Sequence, residues 1–143
     1  SSAKDIPIEP LYDDPLVCVL PKGTPKVTEG DYVTIEDMRN HQFVTQRECT
    51  DADIQNFLKE NSLSIKSSYH VVDDLSTVAL VEKGFGICLM PRLVMNDIPY
   101  DVDYYPIEPK ASRIIGIAVM NPEFMAPAVR SLYRHIVEKY KKV

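Results

Sequence analysis

Strand-like and helix-like segments alternate along this chain, and this alternation constrains its fold more than any other feature. The run Leu16–Leu20 is apolar at every position, which is typical of a strand buried on both faces of a sheet. Thr34 and Asp37 then form a helix-start pattern, and the apolar residues within Ile54–Leu58 have helical spacing. Alternating elements of this kind predict an α/β fold with a mostly parallel, helix-covered sheet.

The same alternation extends to both sides of these segments. Ile8–Leu20 is expected to form two extended stretches separated by Asp13–Pro15. Further along, Asp73 or Asp74 begins a helix that ends at Gly84, because glycine adopts a left-handed backbone at low cost. A short buried strand over Gly86–Met90 follows, so the pattern continues through the middle of the chain.

The C-terminal part consists of one apolar strand and one amphipathic helix. Ile114–Met120 is long and apolar enough to be a central strand, and Ala126–Lys142 is expected to be a helix. The apolar stripe of this helix must be covered; it contains Val129, Leu132, Ile136 and Val137. We therefore expect either pairing with a second copy through this strand and helix, or a helix folded back over the preceding sheet.

Charge and composition exclude several classes of function for this segment. Its 16 Lys and Arg against 21 Asp and Glu give a formal net charge of −5, which opposes binding to a phosphate backbone. No apolar run approaches the roughly 20 residues of a membrane span. The start, Ser1–Pro7, lacks the apolar core of a signal peptide. We therefore expect a cytoplasmic protein of which this chain is one piece.

Neither a metal site nor a catalytic set is predicted. The three cysteines, Cys18, Cys49 and Cys88, are odd in number and lack zinc-ligand spacing. No nucleophile motif, metalloprotease motif or glycine-rich phosphate loop occurs in the sequence. The sequence therefore indicates a protein that is not an enzyme and that needs no metal or cofactor.

Two loops could bind a small ligand. The stretch Phe43–Gln46 ends a strand, and Thr50 and Asp51 begin a helix, so free backbone N–H groups, hydroxyls and a positive helix end converge there. This chemistry suits a small carboxylate, although Thr50 and Asp51 also fit the simple role of helix caps. Gly84–Gly86 is the second candidate, since glycines allow a ligand close to the backbone.

Cys49 lies beside the same helix start and close to Arg47. Both features lower the pKa of a thiol, so Cys49 is a candidate for a redox-active residue and is expected to react faster than Cys18 and Cys88.

Five segments in order resemble one family. They are Glu9–Pro21, Ile35–Met38, Val78–Arg92, Arg113–Met120 and Pro127–Arg130, and the third is the most specific. Together they are similar to the effector-binding domain of LysR-type transcriptional regulators. The resemblance covers nearly the whole chain, but not the N-terminal winged helix-turn-helix of that family or the first part of its first lobe.

The resemblance implies a fold like a type 2 periplasmic binding protein. Residues 8–109 would be a complete, Rossmann-like second lobe. Residues 110–143 would be the return crossing, strand and C-terminal helix of an incomplete first lobe. The effector contacts of the family fall on Phe43, Val44, Thr45, Gln46, Thr50, Asp51, Gly84, Phe85 and Gly86.

The function implied by the resemblance is sensing of a small anionic metabolite in a cleft between lobes. Binding would control a homo-oligomer that contacts DNA through its absent N-terminal domain, with no role at a membrane. A thiol-based redox sensor that uses Cys49 is one alternative. A free-standing solute-binding protein is the second.

Overall fold

The computed structural model describes residues 6–26, 28–46, 52–63, 69–71 and 73–143. Within these residues the strands are β1 Ile8–Pro21, β2 Val33–Thr34, β3 Val44–Gln46, β4 Tyr69–Val71, β5 Cys88–Pro91, β6 Val102–Glu108 and β7 Ser112–Ala118. The helices are α1 Ile35–Arg39, α2 Ala52–Glu60, α3 Asp74–Glu82 and α4 Pro127–Tyr140, with 3-10 turns at Val94–Asp97 and Pro122–Phe124. None of the helices in this described part is long and apolar enough to cross a membrane.

The chain divides into two compact units. Unit 2 is the continuous segment Pro15–Arg113, and unit 1 combines Ser1–Asp14 with Ile114–Val143. Strand β1 therefore contributes its first half to unit 1 and its second half to unit 2.

The sheet of unit 2 is parallel apart from β1. Strand β1 is antiparallel to β5 on one side and to β6 on the other, while β2 is parallel to β6. A parallel bridge between Phe43 and Ile87 joins β3 to the chain that enters β5, and β4 lies parallel to β3. The predicted α/β fold is therefore confirmed, but the sheet is mixed rather than mostly parallel, because β1 runs antiparallel to both β5 and β6.

The second half of β1 is buried on both faces of this sheet. Leu16, Cys18 and Leu20 belong to one apolar cluster, whose helical members come from α1 and α2. Val17 and Val19 belong to the other cluster, whose helical members come from α3 and the 3-10 turn after β5. Helices thus cover both faces, as the uniformly apolar run Leu16–Leu20 predicts.

Strand β1 continues through Asp13–Pro15, so the prediction of two separate extended stretches is wrong. Proline lacks an N–H, but the carbonyl of Pro15 accepts a hydrogen bond from Arg92 N at 2.8 Å. The N–H of Leu16 donates to Ala111 O at 2.8 Å. The backbone pairing therefore resumes at once beyond the proline.

A buried carboxylate fixes the start of α1. Asp37 is 3% exposed, and it accepts hydrogen bonds from the backbone N–H and the hydroxyl of both Thr28 and Thr34. Thr34 in turn accepts a hydrogen bond from Asp37 N, which completes the predicted capping box. Burial raises the pKa of Asp37, but these hydrogen bonds outweigh it and hold the pKa well below its usual range.

The ends of α3 are also those predicted from the sequence. Asp73 caps the helix by accepting a hydrogen bond from Ser76 N at 2.8 Å. Gly84 follows the helix with a φ of +81°. Pro127 lies at the first turn of α4, where the missing N–H of proline costs nothing.

Unit 1 has few buried side chains. In the described residues β7 pairs with β1, and the end of α4 is joined to β1 by a hydrogen bond from Lys142 N to Leu11 O at 2.7 Å. Side chains along β7 alternate between exposed and half-buried, and none in α4 is buried. Ile114 is 60% exposed, so the expectation that its strand is central is wrong.

The expectation that α4 folds back over a sheet and covers its stripe is also wrong. Leu132 is 60% exposed and Val129 is 48% exposed. Ile136 and Val137 are half-buried, so only part of the stripe remains open in the single chain, and pairing with a second copy stays a prediction.

Replacing Asp37 with Asn should lower the free energy of unfolding by about 2 kcal/mol at pH 7, because hydrogen bonds to a buried charge are lost. The pKa of Asp37 is lower in the folded state than in the unfolded chain, so its stabilisation is complete above the ordinary aspartate pKa and is lost as the pH falls below it. Urea unfolding at pH 7 and pH 3 should show a larger acid loss for the parent chain than for Asp37→Asn.

The exposed Asp31 of the same unit offers a matched control. Asp31→Asn should leave both the stability and its acid dependence unchanged. Equal stability of Asp37→Asn and the parent chain at pH 7 would contradict the assigned role of Asp37.

Candidate ligand-binding site

The amino end of β3 is held beside the chain that enters β5. The N–H of Val44 donates to Ile87 O, and the N–H of Ile87 donates to Gln42 O, both at 2.8 Å. Phe43, Val44 and Thr45 are all buried, with Thr45 only 8% exposed. The predicted residues Phe43–Thr45 therefore lie next to one another at a buried position of the sheet, and the backbone of Gln46 ends the strand.

Gly84–Gly86 has a structural role at the same sheet position. Gly86 has a φ of +152°, and a Cβ placed on it would lie 2.3 Å from Gln42 O. The absence of a side chain therefore allows the chain entering β5 to approach β3. Gly84 also has a positive φ, but a Cβ there would meet open space. Phe85 between them is 42% exposed.

A small cavity of about 20 Å³ lies against the end of β3. Its lining comes from β3, α2, α3 and β5, and consists of Phe43, Val44, Thr45, Ile54, Gln55, Leu58, Thr77, Leu89 and Met90. A volume of this size holds about one water molecule or one small group of a ligand. Phe43–Thr45 line this cavity, whereas Gly84–Gly86 are not among its lining residues.

The lining is mostly apolar, with Thr45, Gln55 and Thr77 as its polar members. Thr77 is 1% exposed, and its hydroxyl donates to Asp73 O at 2.8 Å. Because its single proton is engaged there, the Thr77 hydroxyl can offer further partners only acceptor lone pairs. A ligand group that enters this cavity is therefore best matched if it is uncharged and carries a hydrogen-bond donor.

The N-cap of α3, one turn before Thr77, is the charged side chain of Asp73. Asp73 accepts hydrogen bonds from both the backbone N–H and the hydroxyl of Ser76, each at 2.8 Å. The bond from Ser76 N, followed by that from its hydroxyl, lowers the pKa of Asp73. The first turn of α3 is therefore fixed, and Thr77 is fixed with it.

Several predicted residues lie outside the described part of the chain: Cys49, Thr50 and Asp51. Other lining residues were not predicted from the sequence: Ile54, Gln55, Leu58, Thr77, Leu89 and Met90. One signal was present, because Thr77 shares a helical stripe with the buried residues Val78 and Val81. A hydroxyl within a buried stripe marks a candidate site residue, since a buried polar group requires a partner.

The other two cysteines are buried in the two apolar clusters, Cys18 in one and Cys88 in the other. Burial, with a smaller contribution from the charge of Asp37, raises the pKa of Cys18 far above its usual range. Burial also raises the pKa of Cys88. Both thiols are therefore uncharged at neutral pH. Within the described ranges no cluster of His, Cys, Asp and Glu could hold a metal ion.

Comparison with protein families and curated proteins gives one clear relationship. The family model of the LysR substrate binding domain matches residues 2–141. A curated relative, the probable HTH-type transcriptional regulator LrrA of Synechococcus elongatus, is 26% identical over 102 residues. That match includes 70% of this chain and 34% of the relative, so this chain corresponds to about a third of LrrA.

Two solved structures show the same fold. The effector binding domain of QuiR in complex with shikimate matches with a TM-score of 0.77 and 22% identity, over 98% of this chain and 68% of that one. The regulatory domain of CcmR from Synechocystis PCC6803 in complex with 2-PG matches with a TM-score of 0.78 and 12% identity, over 100% of this chain and 72% of that one.

The two glycines of the loop before β5 should differ in their tolerance of alanine. Gly86→Ala should lower the free energy of unfolding by several kcal/mol, because its Cβ would overlap Gln42 O. In Gly84→Ala the new Cβ meets no atom, and only the positive φ is unfavourable for alanine. This variant should lower the free energy of unfolding by about 1 kcal/mol. Denaturant unfolding of the two variants measures the difference, and equal costs would contradict the close approach at Gly86.

Cys18 and Cys88 should resist alkylation in the native protein because both thiols are buried and uncharged. Timed iodoacetamide labelling followed by peptide mass spectrometry should show them labelled only after denaturation. Cys49 serves as the comparison and is expected to label first. Equal or slower labelling of Cys49 would eliminate the redox alternative.

Proposed function

Because the chain belongs to the LysR substrate binding domain family, we propose that it is the effector-sensing domain of a LysR-type transcriptional regulator. In this proposal a small anionic metabolite binds at the end of β3 and controls DNA binding by a full-length homo-oligomer. DNA is contacted by a separate domain, a proposal supported by the name of the relative, a probable HTH-type transcriptional regulator. The protein acts in the cytoplasm, catalyses no reaction and needs no cofactor.

The observation that carries the proposal is the cavity at the end of β3. It is formed by residues of four different elements, and three of the residues expected to contact an effector line it: Phe43, Val44 and Thr45. A cavity of this size accommodates one small group of an effector, so we propose it as one part of the effector site.

The cavity also indicates which end of an effector it would take. Its described lining contains no charged side chain, so an ionised group entering it would lose its hydration without compensation. We therefore place an uncharged part of the effector in the cavity. The anionic group is then expected nearer Gln46, Thr50 and Asp51, where the sequence predicts free backbone N–H groups at a helix start.

An effector with an uncharged polar part and a separate anionic group would be a hydroxylated carboxylate. A hydroxyl on the effector can donate to Thr77, whose own proton is already engaged by Asp73 O. The ligand of QuiR, shikimate, has both a carboxylate and hydroxyls. We propose the same chemical class for this chain, without assigning the same compound.

Regulation requires only that the effector bind two arrangements of the protein with different affinity. Coupling free energies between sites are typically 1–3 kcal/mol, which corresponds to about 5-fold to 150-fold in affinity. One or two hydrogen bonds made in a single arrangement are sufficient for such a difference. The proposal therefore needs no large rearrangement within unit 2.

Thr45→Ala should weaken the effector affinity of the full-length regulator by about tenfold, because one hydrogen-bonding group at the site is removed. Effectors are identified first by thermal shift with a panel of small carboxylates that includes shikimate, since ligands of the native state raise the melting temperature. Calorimetric titration then measures the affinity of the parent and the variant.

Thr24→Ala is the matched control, because the Thr24 hydroxyl donates to Pro21 O in a turn and does not line the cavity. This variant should bind the effector like the parent. Unchanged affinity in Thr45→Ala would contradict the site, and the absence of any stabilising carboxylate would contradict the proposed ligand class.

A further inference from the structure

Thr77 carries a buried hydroxyl whose hydrogen-bonding direction is fixed by its own helix. The residue lies in the first turn of α3 and is 1% exposed. Its hydroxyl donates to Asp73 O at 2.8 Å, and its backbone N–H donates to the same oxygen at 3.1 Å. Turning the hydroxyl away would break a hydrogen bond at a position that is buried from solvent. The proton therefore stays on the helix, and only the lone pairs of the hydroxyl remain for a ligand.

The carbonyl that receives this proton is itself held in place. Asp73 caps α3 by accepting hydrogen bonds from the backbone N–H and the hydroxyl of Ser76, each at 2.8 Å. Both the side chain and the carbonyl of Asp73 thus take part in the first turn of the helix. The direction of the Thr77 hydroxyl is set before any ligand binds, so a matching ligand group need not reorganise it.

The other two polar residues of the cavity, Thr45 and Gln55, impose no such direction by their chemistry. A threonine hydroxyl and a glutamine amide each contain both a donor and an acceptor. Either residue is therefore compatible with a ligand group that donates or with one that accepts. The remaining described lining residues are apolar. Selection between donor and acceptor groups thus falls to Thr77.

An alcohol and a ketone differ in this respect although their oxygen atoms are similar in size. In the cavity of about 20 Å³, an alcohol can donate to Thr77 and accept from Gln55. A ketone only accepts, so its lone pairs would face those of Thr77 without a proton between them, which is costly in a buried site. An amine would donate as well, but it is charged at neutral pH and the described lining offers it no counter-charge.

We propose that Thr77 is a specificity-determining residue of the effector site and makes it select an alcohol over the ketone of the same carbon skeleton. This inference rests on the proposed function, since it concerns the effector group that enters the cavity beside Thr45. The two compounds are the substrate and the product of a dehydrogenase, in which the alcohol gives a hydride to an oxidised nicotinamide and releases a proton. The regulator would thus respond to the reduced member of such a pair.

Calorimetric titration of the full-length regulator with a matched alcohol and ketone tests this selectivity. The pair consists of the hydroxylated carboxylate identified by thermal shift and the ketone formed by oxidation of its hydroxyl; shikimate and 3-dehydroshikimate are the first pair to be used. The parent protein should bind the alcohol at least about tenfold more tightly, because the ketone replaces one hydrogen bond by an unpaired contact.

Thr77→Val keeps the shape of the side chain and removes its hydroxyl. This variant should bind the alcohol about tenfold more weakly and the ketone no more weakly than the parent, so the preference disappears. Thr77→Ser retains a hydroxyl and should retain the preference. Ser76→Ala is the matched control, because the Ser76 hydroxyl donates to Asp73 and does not line the cavity. Its preference should equal that of the parent.

Equal affinity of the parent for the alcohol and the ketone would overturn this inference and leave the proposed function intact. That result needs no variant, so it does not depend on whether Thr77→Val folds. A Thr77→Val variant that keeps the preference, or that loses affinity for both compounds equally, would also overturn it, and the second result would indicate a purely structural role. Failure of the parent to bind any hydroxylated carboxylate would overturn the proposed ligand class together with this inference.

Discussion

The pairing of β1 with both β5 and β6 is the interaction on which unit 2 depends. This strand lies in the middle of the sheet, and its run Leu16–Leu20 supplies apolar side chains to both clusters of the core. Its alternating register assigns α1 and α2 to one face and α3 to the other. A one-residue shift would exchange the two sets of side chains between the two faces of the sheet.

Local features of the sequence were sufficient to predict most of the fold. The capping box of Thr34 and Asp37, the cap Asp73 and the terminator Gly84 each act over a few residues, so their effect can be read without knowledge of the tertiary structure. The antiparallel direction of β1 could not be read in this way. It depends on pairing with β5 and β6, which are distant in the sequence, and local residue preferences carry no information about such pairing.

The two expectations that were wrong for unit 1 share a physical cause. Hydrophobicity shows that Ile114 and Leu132 require cover, but it does not show what provides the cover. A sequence pattern specifies one side of a packed interface, and the other side has to be found elsewhere. For β1 the partner is present within unit 2, whereas Val129 and Leu132 of α4 remain exposed.

The candidate site was predicted in part for the same reason. The strand end Phe43–Thr45 has a recognisable local chemistry, and it does line the cavity. Gln55 and Thr77 reach the cavity from two helices, so their proximity to Thr45 is a tertiary property. For Gly86 the sequence predicted only a ligand approach, whereas the position of Gln42 O accounts for the glycine by a close backbone contact.

The division of the chain into a continuous and a discontinuous unit has a consequence for its synthesis. Unit 2 is a single stretch, Pro15–Arg113, so all of its residues are synthesised before any of β7 beyond Arg113. Its folding can therefore begin while the nascent chain is still growing. Pairing of β7 with β1 in unit 1 must instead close a loop of about a hundred residues, which costs conformational entropy. This cost is much smaller if unit 2, which forms the loop, is already folded. The order of synthesis thus favours the continuous unit as the template on which the termini are brought together.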